Sequence, residues 1–192
     1  MKKSIFILLA MVFIFAVGSA YAASVQIVGP TEVILSDGQF SIDVIITDIS
    51  PLANLDIFDF TLGMSPEAGA TFVSGAGPGE TNYVFEGDSF FFGADVSPSG
   101  FQINVGDLTE SGNGVTVGAN NLLATIVIDI SGAEVGEWYT VSLLDGVFAD
   151  VAGTRQDILM EPYQFQVVPI PGAALLLGSG LLGLLGIRRK MR

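Results

Sequence analysis

The sequence predicts an all-β fold: an antiparallel β-sandwich of about nine strands, flanked by an N-terminal signal helix and a C-terminal transmembrane helix. Three observations carry this expectation. Apolar residues recur with period two through residues 24–168, clusters of Gly, Pro, Asn, Asp and Ser separate the runs, and no amphipathic helical period interrupts them. The two ends are different, each an uncharged apolar run with basic residues on one side.

The chain opens with Met1-Lys2-Lys3, continues through the apolar stretch Ile5 to Val17 and reaches Ala20-Tyr21-Ala22. A basic start, an apolar core and small residues at Ala20 and Ala22 make residues 1–22 a signal peptide, cut by signal peptidase after Ala22. An uncleaved anchor is the alternative, disfavoured because a spanning helix prefers ~20 apolar residues.

The strands follow in order. Phe40, Ile42, Val44 and Ile46 alternate with Ser41, Asp43, Ile45 and Thr47, and Phe58, Phe60, Leu62 and Met64 alternate with Asp59, Thr61 and Gly63. Phe101, Ile103 and Val105 repeat the pattern, as do Tyr139, Val141 and Leu143, and Tyr163, Phe165 and Val167. Each is a strand with one wet face. The run Leu122 to Ile130 is β-branched and apolar on both faces at its centre, which suits the middle of a sheet. Shorter strands are expected at residues 24–28, 32–35, 70–74 and 82–85. Asp37-Gly38, Gly87-Asp88, Gly112-Asn113-Gly114 and Asp145-Gly146 supply turn residues that tolerate positive φ.

Composition narrows the function. All 20 acidic residues of the 192-residue chain lie between 23 and 168 with a single basic one, Arg155, so this segment carries a formal charge of −19. Such a surface repels nucleic acid and has no basic patch to release counterions. The chain has no cysteine and no histidine. Disulfide staples, the usual zinc sites, thiol nucleophiles and a Ser-His-Asp triad are therefore all excluded.

The C-terminal run Ile170 to Ile187 is uncharged and ends at Arg188-Arg189-Lys190. As a helix it reaches about 27 Å, enough to cross the hydrocarbon of a bilayer with its basic end in the cytoplasm. The order of Val168-Pro169-Ile170-Pro171-Gly172, apolar run, then Arg188 and Arg189 resembles the PEP-CTERM class of bacterial sorting signals, in its Val-Pro-x-Pro variant. The resemblance covers residues 168–192. It implies recognition by an exosortase, removal of the helix, and passage from the inner membrane to the cell surface or an exopolysaccharide matrix. Pro169 and Pro171 hold the preceding backbone extended, as a protease cleft requires. A permanent single-span anchor is the alternative.

Between the ends, residues 23–167 resemble the cohesin family of exported modules. The residues that carry the likeness are Gly38-x-Phe40-x-Ile42-x-Val44, Leu55-x-x-Phe58-x-Phe60-x-Leu62, Leu123-Ala124-Thr125-Ile126-x-Ile128 and Phe148-Ala149-Asp150-x-x-Gly153. The resemblance implies a nine-strand jelly-roll sandwich and non-catalytic binding of a dockerin partner or, in related modules, of polysaccharide.

Candidate sites are few. Asp145, Asp150 and Asp157 flank a turn-rich stretch and form a candidate structural calcium site, since oxygen donors at about 2.3–2.6 Å suit that ion. A solvated acidic surface is the plainer reading of the same residues. Trp138, beside Glu137 at the start of a strand, is the candidate exposed ring for a ligand, and Tyr83, Phe85, Phe90, Phe91 and Phe92 are further aromatics that either stack on a sugar or fill the core. The expected function is a non-enzymatic, surface-displayed module that binds exopolysaccharide or a protein. The alternatives are a purely structural biofilm-matrix component and a small glycoside hydrolase, which would need two carboxylates about 5–9.5 Å apart across a cleft.

Overall fold

The computed structural model describes residues 23–48, 52, 54–118 and 121–169. The expected signal peptide with Ala20 and Ala22, and the residues expected to carry a sorting signal, Pro171, Gly172, Arg188 and Arg189, lie outside the described residues. The described residues form eleven strands: β1 (Ala23–Val28), β2 (Glu32–Ile34), β3 (Gln39–Asp48), β4 (Ile57–Ser65), β5 (Thr71–Ala76), β6 (Gly93–Val96), β7 (Gln102–Leu108), β8 (Leu122–Asp129), β9 (Trp138–Ala149), β10 (Arg155–Met160) and β11 (Tyr163–Val168). Among the described residues the one helical element is a short 3-10 turn, Leu35–Asp37.

The strands form two layers. One has the order β5-β8-β3-β1, the other β9-β4-β7-β6, and β10 joins them by pairing with β1 on one side and β9 on the other. The long β9 also carries β11, which in turn carries β2. β8 lies between β5 and β3, the interior position its doubly apolar sequence called for.

Most pairs are antiparallel, as expected, but β1 with β10 and β11 with β2 are parallel. At the far side the two layers nearly meet. A Cβ placed on Gly75 of β5 would come within 2.9 Å of the Ala94 Cβ of β6, so glycine there allows the close approach.

Alternation decides what is buried. Phe58, Phe60, Leu62 and Met64 of β4, Ile42, Val44 and Ile46 of β3, and Ile126 and Ile128 of β8 all point into one core. Its rings pack in two groups. Phe85 and Phe60 stack on Phe58 at 5.5 and 6.0 Å, while Phe165 lies against Tyr139 at 5.3 Å and edge-on to Phe40 at 4.8 Å. Burying each such ring stabilises the domain by roughly 1.5–3 kcal/mol, which matters in a fold without disulfides.

Three elements differ from the sequence expectation. Residues 82–85 form no strand: Tyr83 makes an isolated bridge to Leu122 inside a series of turns. β6 and β10 were not anticipated, because Gly93-Ala94-Asp95-Val96 and Arg155-Gln156-Asp157-Ile158-Leu159-Met160 have little of the β-branched, alternating character that marks a strand.

Candidate functional site

The outward face of β9-β4-β7-β6 presents side chains in register. Ile57 pairs with Leu108, Asp59 with Gly106 and Val147, and Thr61 with Asn104 and Asp145, while Asp95 of β6 pairs with Asn104. The Asn104 amide donates to Asp59 Oδ1 at 3.2 Å and to Thr61 Oγ1 at 3.1 Å, which ties β7 to β4 across the face. Gly93 pairs with Gly106, and the missing side chains leave a depression of about 200 Å³ bounded by Ile57, Asp59, Phe91, Asp95 and Asn104.

A bulge shapes the other end. Between Thr61 and Leu62 the partner on β9 jumps from Asp145 to Leu143, so Leu144 is the extra residue and is pushed outward. Gly63 makes room for it: a Cβ there would meet the Leu144 side chain at 2.9 Å. The bulge also reverses the inward parity of β9, from Tyr139 and Val141 before it to Phe148 after it.

One rim of the face is the segment 83–92. Phe90 and Phe91 are 64% and 69% exposed, side by side, while Phe92 turns inward against Tyr83 at 6.0 Å. These residues lie in turns and not in a strand, so the alternation expected of a strand does not apply to them.

What holds this rim is Asp107, buried near the end of β7. Its Oδ2 accepts from the Tyr83 and Ser89 hydroxyls, each at 2.5 Å, and its Oδ1 accepts from the Phe91 and Leu108 amides at 3.0 and 2.7 Å. Four donors satisfy both oxygens, which is what permits a carboxylate inside the fold. Burial, with the adjoining Asp107 carboxylate, raises the Tyr83 hydroxyl well above its usual range and keeps it a donor. Sequence reasoning passed over Asp107, although a signal existed: it continues the inward parity of Ile103 and Val105, so a carboxylate had to be housed in the core.

The aspartates expected to hold calcium are not gathered. Asp150 uses its Oδ1 to accept the Ala152 and Thr154 amides, each at 2.9 Å, and so caps the turn between β9 and β10. Asp145 accepts the Gly146 amide at 2.9 Å on the sheet surface, and Asp157 sits exposed on β10, opposite Val147. Among the described residues no three acidic side chains converge on a point where an ion could bind. Trp138 begins β9 and is half exposed, distant in register from the 83–92 rim. Val168 ends β11 and Pro169 follows it, exposed.

No protein-family model matches the chain, and no curated protein is similar to it. Solved structures are. The sixth cohesin of scaffoldin B from Acetivibrio cellulolyticus, crystallised in complex with the Cel5 dockerin, superposes with a TM-score of 0.61 at 17% identity, covering 77% of this chain and 99% of that one. A type I cohesin of Clostridium thermocellum in the Coh-OlpC-Doc435 complex gives 0.61 at 10% identity, over 78% and 96%. A non-cellulosomal cohesin from the archaeon Archaeoglobus fulgidus gives 0.58 at 14%, over 80% and 96%. The sandwich therefore has the cohesin fold.

Proposed function

We propose that this chain is an exported, surface-displayed protein-binding module without catalytic activity, whose partner is a dockerin-like domain. The observation that carries the reading is the outward face of β9-β4-β7-β6, where apolar Ile57, Leu108, Phe91 and Leu144 stand beside Asp59, Asp95 and Asp145. An apolar patch with charged neighbours is the usual anatomy of a protein interface, and its carboxylates favour a partner with basic groups at the rim. The cohesin fold supports this, since solved modules of that fold are found in complex with dockerins. In this reading residues 1–22 direct export and an exosortase acts on the 168–192 tail, which holds the chain in the inner membrane until then.

The test is titration of the sandwich, residues 23–169, with dockerin-type domains encoded by the producing organism. Saturable binding that falls in Asp59→Lys and in Phe91→Ala supports the reading. Absence of binding to every such domain overturns it.

The exposed pair Phe90 and Phe91 favours a second reading, stacking on a sugar ring of the exopolysaccharide. Co-sedimentation with that polysaccharide, lost in Phe90→Ala, would replace the first reading with this one.

A further inference from the structure

We infer that Trp138 and Val135 form a contact with the headgroup layer of the membrane as long as the C-terminal tail remains attached. The inference rests on the anchor reading of residues 170–187 and adds to it a surface of the folded domain. Val135, on the turn that leads into β9, is 50% exposed, and Trp138, the first residue of β9, is 52% exposed. That turn is bonded to the very end of β11. The Gly136 amide donates to the Val167 carbonyl at 2.7 Å, the Val167 amide donates to the Glu137 carbonyl at 3.1 Å, and the Gln166 side-chain amide donates to the Gly136 carbonyl at 3.0 Å. Trp138 pairs directly with Gln166, so the two project from the same side of the sheet.

The sequence leaves almost no slack beyond this point. β11 ends at Val168, and the apolar run opens at Ile170 with Pro171 just inside it. Even if residues 169–171 are fully extended they span only about 10 Å, at ~3.3 Å per residue. The headgroup layer is itself about 5–7 Å deep on each side of the hydrocarbon. A bilayer crossed by residues 170–187 must therefore lie against the end of the sandwich that carries Val135 and Trp138. A tryptophan with a valine beside it is the chemistry that settles at such an interface, ring in the apolar margin and indole N–H toward water and headgroups. Glu134 and Glu137 on the same turn suit the ammonium groups of phosphatidylethanolamine better than an anionic lipid.

The protein carries its own probe, because Trp138 is the sole tryptophan of the chain. The chain from residue 23 to residue 192, as left by the expected cut after Ala22, is reconstituted in vesicles of phosphatidylethanolamine with a minor share of phosphatidylglycerol, with and without brominated acyl chains. Alongside it runs a variant, Leu182→Asp with Leu184→Asp, altered only in the apolar run. Expected for the parent chain is retention through alkaline carbonate extraction, with Trp138 emission shifted to the blue and quenched by the brominated lipid. In the variant both effects are lost. Retention of the parent with unshifted, unquenched emission overturns the headgroup contact and leaves the anchor standing. Release of the parent by carbonate, or retention of the variant equal to it, overturns the anchor reading and the contact with it.

Discussion

The two outer faces of the sandwich differ in how they dispose of their polar groups. On β5-β8-β3-β1 polar side chains pair with one another: the Thr125 hydroxyl donates to Asp43 at 2.7 Å, the Gln39 amide to Asp129 at 3.2 Å, and Ser24 and Thr47 share a hydrogen bond at 2.8 Å. Among the described residues of β9-β4-β7-β6, Asp59, Thr61 and Asn104 are joined in this way, as is Thr140 with Gln164 of β11, but Asp95 and Asp145 pair with no side chain and stand near exposed Ile57, Leu108 and Leu144. A face whose donors and acceptors are already matched gains little from a partner, whereas exposed apolar area next to unmatched charge gains both burial and pairing.

The largest test of this contrast is removal of the strut behind the second face. Asp107→Ala leaves the Tyr83 and Ser89 hydroxyls and two amides without their acceptor. A loss of about 3–5 kcal/mol of stability is expected, read from the denaturant midpoint, since each orphaned buried group costs about 1–3 kcal/mol and some recover water. Asp107→Asn, which keeps an acceptor, should lose less. Equal losses in the two variants would mean that the charge and the second acceptor oxygen of the carboxylate, which asparagine also lacks, dominate over the volume that alanine removes.

Next in size, Phe91→Ala should weaken partner binding about 10–100-fold, in line with truncation of an aromatic anchor, while shifting stability by less than about 0.5 kcal/mol. The matched change on the other face, Ser41→Lys, should leave binding within about twofold, as a charge far from the interface does. If Ser41→Lys weakened binding as much as Phe91→Ala, the assignment of faces would be reversed.

The smallest expected effect is alkaline. Burial pushes the Tyr163 hydroxyl up to about 12, where it donates to the Pro30 carbonyl at 2.5 Å. The folded state thus holds this proton more tightly than the unfolded chain, in which tyrosine titrates near about 10. Its contribution is fully present below pH ~10 and is lost as pH rises toward ~12. Tyr163→Phe should flatten that part of the stability profile and leave the neutral region little changed relative to it. A decline of the same steepness in the variant would place the alkaline loss on other groups, Tyr83 first.

Much of the fold was legible because it is local. Period-two alternation placed Phe58, Phe60, Leu62 and Met64 inside, and the doubly apolar Leu122 to Ile130 run located the strand flanked on both sides. The residue types on the candidate face were legible too, since Asp59 and Thr61 had to be outward if Phe58 and Phe60 were inward. That Asp59 would meet Asn104 was not. That hydrogen bond joins residues 45 positions apart, and no periodicity encodes which strands become neighbours.

Sequence by itself therefore determined the class of fold, the inward and outward sets of the strong strands, and the chemistry excluded by the absence of cysteine and histidine. Tertiary structure alone decided three things. It recruited weak segments as β6 and β10, because a neighbour's free hydrogen-bonding edge can order a strand that has little propensity of its own. It moved Leu144 outward by a bulge, and it scattered Asp145, Asp150 and Asp157 while gathering four donors around Asp107. The physical reason is common to all three: side-chain period follows from the backbone of one strand, but hydrogen-bond satisfaction depends on partners that only the folded chain brings within reach.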